Sequence, residues 1–178
     1  MKYLSPLEML YKWEKEKPNQ IFLSQPINNI WHHWTWKEFG MEVRKMASYL
    51  KQLNLPNESK IGLLSKNCAH WLMTDMAIMM SGHVSVPLYP NLNAETLSKI
   101  LSHSETKLLF VGKLDNYEEM KGGVPNDMNC ITFPFYSEDY PKWNDLLKNI
   151  SPLKENIIRK PNELATIIYT SGTTGTPK

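Results

Sequence analysis

Cysteine is scarce in this sequence: the 178 residues hold two, Cys68 and Cys130, far apart and without a CxxC pair. That spacing offers neither a disulfide framework nor a thiolate metal cage, and both thiols sit in apolar segments where a buried, reduced state is expected. Metal-ligand spacing is lacking around the five histidines as well. His32 and His33 are adjacent, but no HExxH and no Cys/His cluster joins them, so structural zinc is not expected. Neither sign of charge dominates, with 20 basic residues against 18 acidic and a formal net charge of +2. Nucleic acid, which needs clustered Lys and Arg, is therefore not an expected partner. Long apolar runs are missing too. The most apolar stretch, Cys68 to Met80, is too short to span a bilayer and is interrupted by His70 and Asp75. The opening residues Met1-Lys2-Tyr3-Leu4-Ser5-Pro6 lack the apolar core of a signal peptide. With 42% hydrophobic and 21% charged residues, the chain reads as a cytoplasmic globular protein whose length suits one domain.

What is present follows helix and strand rules closely. Ser5 can cap a first helix with Pro6 at its first position, and Leu7, Leu10, Tyr11 and Trp13 or Glu14 give it one apolar face that ends by Pro18. Irregular alternation from Ile21 to Trp36 around Asn28-Asn29 predicts a hairpin. Thr35 and Glu38 form a T-x-x-E capping box for a second helix carrying Phe39, Val43, Met46, Ala47, Leu50 and Leu53, closed by Leu55-Pro56-Asn57.

From there strands and helices alternate. Ile61–Leu64 reads as a strand, and Asn67 can cap a buried helix from Cys68 to about Ser81. Val84–Leu88 is the next strand, followed by an Asn93-capped helix with Leu97, Ile100 and Leu101. Leu108–Val111 is a third strand, Asp115–Lys121 a short helix and Cys130–Phe133 a fourth strand. This rhythm predicts an α/β fold, a mainly parallel sheet with helices on both faces. Pro87 must fall at the end of its strand or where no ladder bond is lost. Pro141–Ile150 reads as a helix, Ser151–Pro161 as a polar connector and Leu164–Tyr169 as a buried strand, in a separate sheet if the long connector carries it away. The tryptophans Trp31, Trp34, Trp36 and Trp71 and the ten methionines are read as core packing rather than a lipid surface. Glu118-Glu119 and Lys15-Glu16-Lys17 are read as solvated faces.

The chemistry gathers in the last residues, Thr170-Ser171-Gly172-Thr173-Thr174-Gly175-Thr176-Pro177-Lys178. A triphosphate needs closely spaced donors, room for backbone to approach and positive charge. Gly172 and Gly175 supply the room. Hydroxyls on Thr170, Ser171, Thr173 and Thr174 donate alongside backbone N–H groups. Lys178 adds a mobile charge suited to the β- and γ-phosphates, and one hydroxyl can help to hold Mg²⁺. The string is not the G-x-x-x-x-G-K-[ST] loop, because Gly172 and Gly175 are too close together and no Ser or Thr follows the lysine. Its bland alternative is a flexible connector.

Tyr169 to Lys178 resembles the signature of the AMP-binding superfamily, which holds acyl-CoA synthetases, luciferases and peptide-synthetase adenylation domains. Trp34-Thr35-Trp36-Lys37-Glu38-Phe39 resembles the family's early helix-start motif, usually (T/S)-(Y/W)-x-E-(L/F). Met80 to Pro90 resembles its G-A-V-x-V-P-L-Y segment, departing from it at His83, where the family usually has a small residue. Pro87-Leu88-Tyr89-Pro90 followed by Ile100 to Glu105 looks most like the long-chain fatty acyl-CoA synthetase branch. The resemblance implies an ATP-dependent acid–thiol ligase that forms acyl-AMP and then a thioester with coenzyme A. It implies ATP and Mg²⁺, phosphate contacts from Thr170, Ser171, Gly172, Thr173, Thr174 and Gly175, a magnesium-side hydroxyl on Thr170 and a catalytic role for Lys178. It also implies that this is the N-terminal part of the large domain, because the acyl pocket, the nucleoside contacts and the C-terminal domain follow this loop in the family; the piece alone is expected to be inactive. Within that part, residues 1–57 are read as N-terminal helices and hairpin, 58–135 as βαβ units, 136–163 as connector and 164–178 as strand and loop. Two alternatives stay open: a fatty acyl-AMP ligase that hands its acyl group to a carrier protein, and a nucleotide-binding module without turnover. Expected partners are small molecules (ATP, fatty acid and CoA), with peripheral membrane contact and a homodimer left open.

Overall fold

Residues 3–136 and 139–170 are described by a computed structural model of the chain. Helix α1, Pro6–Glu16, begins on a complete capping box: Ser5 Oγ accepts from Glu8 N at 3.3 Å, and Ser5 N donates to the Glu8 carboxylate at 2.9 Å. It buries Leu7, Leu10 and Tyr11. Strands β1, Ile21–Ile27, and β2, Ile30–Thr35, form the antiparallel hairpin. Asn28 and Asn29 take φ of 50° and 62°, the left-handed pair that a two-residue hairpin turn requires and that asparagine tolerates. Helix α2, Trp36–Gln52, starts on the Thr35/Glu38 capping box and buries the expected apolar stripe. It stops before Leu55-Pro56-Asn57, because Asn54 has already left the helical region with φ 51°.

The alternating stretch forms β3, Lys60–Leu64, α3, Ala69–Met80, β4, Val84–Leu88, α4, Ala94–His103, β5, Leu108–Val111, α5, Glu118–Lys121, and β6, Asn129–Thr132. The four strands make one parallel sheet in the order β4-β3-β5-β6. On one face α1, α2, α3 and α6, Trp143–Leu147, cover Ile61, Leu63, Phe110 and Ile131. On the other, α4 and α5 cover Leu64, Val86, Leu109 and Val111. Burial on both faces explains why these strands read as continuous apolar runs.

Pro87 sits in β4 without disturbing the ladder. Ser85 on the same side of the strand turns its N–H and C=O away from β3, toward residues 165–167. By the period of two, Pro87 faces that outer edge as well.

Three helix-boundary expectations and two expectations of burial need correction. Asn67 does not cap α3: Cys68 holds the N-cap position without a side-chain bond, and Gln25 of the hairpin accepts from Ala69 N at 2.7 Å instead. The helix expected over Asp115–Lys121 is only Glu118–Lys121, because Asp115 is drawn into an ion pair with Lys66. The helix expected over Pro141–Ile150 shrinks to Trp143–Leu147, because Lys142 bridges Thr132 at the sheet edge and Pro141 O accepts from Thr132 N. Cys130 is buried but Cys68 only partly so, and Trp31 is 62% exposed rather than packed.

The last correction concerns Leu164–Tyr169. It is not a buried strand and not in a separate sheet. It meets β4 in parallel through one bridge, Ser85 with Thr166, and its exposure alternates, with Leu164 at 49% and Ile168 at 62%.

Candidate functional site

Three side chains or backbone pairs fasten the segment that leads to the Gly/Thr loop. Ser85 N donates to Ala165 O at 3.0 Å and Ile167 N donates to Ser85 O at 2.9 Å. Arg159 reaches across, giving Nη1 to His83 O at 2.7 Å, Nη2 to Leu164 O at 3.1 Å and Nε to the Glu163 carboxylate at 3.0 Å. The planar guanidinium suits three fixed acceptors better than an ammonium would. His83, the departure from the family pattern, thus contributes its carbonyl to this tie. Its ring is buried, and burial first, then Arg159, lowers its pKa.

Tyr169 closes the segment. Its ring is 6% exposed and packs with α4, and its hydroxyl lies 2.6 Å from His103 Nδ1, with the two rings edge-on at 83°. Burial raises the phenol pKa. Thr170 follows, exposed to solvent. Ser171, Gly172, Thr173, Thr174, Gly175 and Lys178 lie outside the described residues. Of the residues expected to bind phosphate, the structure therefore places Thr170 alone.

Sequence reasoning missed a second feature. The strand order reverses around β3 and β5, and in open parallel sheets ligands enter beyond the carboxyl ends of the strands at such a reversal. Here that crevice is tied shut by its own bonds. Ser65 Oγ accepts from Lys113 N at 2.9 Å and donates to Lys66 O at 2.6 Å, while Lys66 N donates to Lys113 O at 2.7 Å. Gly112 permits the closure, since a Cβ there would strike the Phe133 ring and Ser65 Oγ. The only signal in the sequence was the position of two lysines just past two predicted strands.

Among the described residues no group of His, Cys, Asp and Glu could hold a metal ion. Among them, too, no helix is long and apolar enough to cross a membrane.

These features can be set beside known proteins. A sequence profile described as AMP-binding enzyme matches residues 10–178. The chain belongs to the AMP-binding enzyme family. Long chain acyl-CoA synthetase 4 of Arabidopsis thaliana is 30% identical over 175 residues, covering 89% of this chain and 26% of that protein. The long-chain-fatty-acid–CoA ligase FadD15 of Mycobacterium bovis is 27% identical, covering 96% of this chain and 30% of its own. The chain thus spans between a quarter and a third of the length of the curated relatives it matches. The anthranilate CoA ligase AuaEII, solved with anthranoyl-AMP, superposes with a TM-score of 0.81 at 20% identity over 98% of this chain and 34% of its own. The N-terminal subdomain of Klebsiella oxytoca NpsA superposes with a TM-score of 0.70 at 17% identity over 98% of this chain and 40% of its own. At those identities the likeness is one of fold.

Proposed function

We propose that the protein carrying this chain is an ATP-dependent long-chain fatty acid–CoA ligase, and that this chain contributes the N-terminal part of its large domain. The observation that carries the reading is the string Tyr169 to Lys178. Its glycines, hydroxyls and lysine meet the demands of a triphosphate, and it matches the family's signature. The long-chain names of the relatives and the Pro87-Leu88-Tyr89-Pro90 segment support the choice of acid.

In this reading a carboxylate oxygen attacks the α-phosphorus of ATP. The bond from that phosphorus to the bridging oxygen breaks, and pyrophosphate leaves with acyl-AMP formed. A thiol, deprotonated as it attacks, then displaces AMP to give the acyl-CoA thioester. Expulsion of pyrophosphate concentrates negative charge on the β- and γ-phosphates, so donors already in place lower the barrier. Residues 170–174 hold the phosphates, and Lys178 stabilises the departing charge. Thr170 would offer one hydroxyl oxygen to a Mg²⁺ brought in with ATP, and that ion would help to neutralise the phosphate charge. In this account these 178 residues, which span 26% of the length of the Arabidopsis relative, do not by themselves orient a carboxylate for attack and are inactive alone.

The test is palmitate-dependent ATP–pyrophosphate exchange in the protein that contains this chain. Lys178→Ala and Thr174→Ala are each expected to slow exchange about a hundredfold, the usual scale for one electrostatic donor at a transition state. Unchanged exchange in both variants would remove the phosphate role from the loop.

A further inference from the structure

A cleft of about 680 Å³ opens between the hairpin, the start of α2 and the residues that follow β6. It lies well away from the tail that leads to the Gly/Thr loop. Thr166 borders β4 at one edge of the sheet, and β6 lies at the other, with β3 and β5 between them. At the usual strand spacing Thr166, one step outside β4, is about 19 Å from β6.

The walls of the cleft are aromatic. Trp34 and His32 stand side by side on β2 at 6.3 Å, and Phe135 closes over His32 at 5.1 Å. At the base sits His70, the second residue of α3. It is 5% exposed and ringed edge-on by Trp34 at 5.9 Å and Trp143 at 5.3 Å. Its ring nitrogens meet no hydrogen-bond partner among the described residues. The side-chain atoms that are both sealed from solvent and unpartnered there are His83 Nδ1, Ser85 Oγ and Thr132 Oγ1. The nitrogens of His70 are not among them, and His70 lines the cleft. A largely buried polar ring in the wall of an aromatic cavity is the arrangement of a binding site that orients its ligand by one or two polar groups.

We propose that this cleft binds a flat, uncharged heteroaromatic ring with a hydrogen-bonding edge, the chemistry of a nucleobase, held between the aromatic walls and addressed by the His70 imidazole. The chemistry of the site selects that class. Aromatic faces favour a ring that can stack or meet them edge-on. Burial keeps the imidazole neutral, with a pKa lowered to about 4, so it offers one donor and one acceptor rather than a cation. The amides of Asn19 and Asn144 at the rim add donor and acceptor groups of the same kind. Anions are disfavoured, because the rim carries Glu38 and Glu42 against the single cation Lys37. Those carboxylates are already engaged, Glu38 by Thr35 and Glu42 by Trp143 Nε1 at 2.9 Å, so they do not recruit a metal or a strong cation either.

The test titrates the full 178-residue chain with adenosine, cytidine, AMP and toluene, following tryptophan fluorescence and the His70 ring signals by NMR. Saturable binding of a nucleoside that shifts the His70 ring, with AMP weaker than adenosine and toluene not competing, is the expected result. His70→Phe, which keeps a ring but removes both nitrogens, should weaken that binding at least tenfold. Phe135→Ala alters an exposed wall and leaves the core intact; it should weaken binding severalfold without moving the melting temperature, and it decides the matter should His70→Phe fail to fold. No saturable change with either nucleoside up to millimolar concentration would overturn the proposal. So would equal nucleoside binding by the wild type and a folded His70→Phe, or by the wild type and Phe135→Ala. AMP binding more tightly than adenosine would overturn it as well, by showing that a phosphate rather than a neutral ring is what the chain recognises.

Discussion

The sheet strands and the segment 164–170 have similar apolar compositions and different fates. Ile61, Leu63 and Phe110 are fully buried, while Leu164 is 49% exposed and Ile168 62%. The strands are sandwiched because α3, α4 and α5 arise from the residues between them as crossovers, while α1, α2 and α6 from the flanking chain complete one face. Segment 164–170 has no helix among the described residues directly before it. One bridge to Ser85, the Arg159 tie and the Tyr169–His103 contact hold it. An apolar run therefore announces a capacity for burial, and chain topology decides whether that capacity is used. The half-covered segment is also the one that leads to the residues carrying the proposed chemistry, as is common where loops act from a rigid support.

The sharpest way to break this comparison is to cut the sandwich. Phe110→Ala should destabilise the chain by about 3–5 kcal/mol, the range for a large aromatic removed from a tight core, as read by urea unfolding. A loss below about 1 kcal/mol would mean that the sheet is no better packed than the tail.

Acid should strike the sandwiched region next. Burial lowers the His70 pKa from its ordinary 6.5 to about 4. The unfolded chain therefore takes up this proton first as pH falls. Stability that is complete above pH 6.5 is lost progressively down to about pH 4, by about 3 kcal/mol from this residue. His70→Phe should flatten that part of the pH–stability curve, whereas an unchanged slope would place the acid sensitivity elsewhere. The smallest effect belongs to the tail: Ile168→Ala should change unfolding stability by less than about 0.5 kcal/mol. A cost comparable to that of Phe110→Ala would show the segment to be part of the core.

Much of this contrast was legible in the residues. The Thr35/Glu38 capping box, the Asn28-Asn29 turn, the Asn93 cap and the four apolar runs of the sheet each depend on neighbours within a few positions, and each appears where expected. The misreadings have long-range causes. Gln25 of the hairpin supplies the α3 contact expected of Asn67, Lys66 draws off Asp115, and Thr132 holds Pro141 and Lys142 extended at the sheet edge. The Leu164–Tyr169 run was misjudged because its β-branched residues predict extended backbone without saying what will cover it. His70 shows the same limit. Its helix was visible in the sequence, but the ring of aromatics around it assembles from β2, α6 and the residues after β6.

The central claim is that this chain supplies the phosphate-holding part of a carboxylate-adenylating enzyme and not the whole machine. Palmitate-dependent ATP–pyrophosphate exchange, measured side by side on the 178-residue chain and on a protein that continues past Lys178, tests it most directly. The account predicts exchange by the longer protein and none by the chain alone. Exchange by the chain alone, or none by the longer protein with fatty acids of any length, would contradict it.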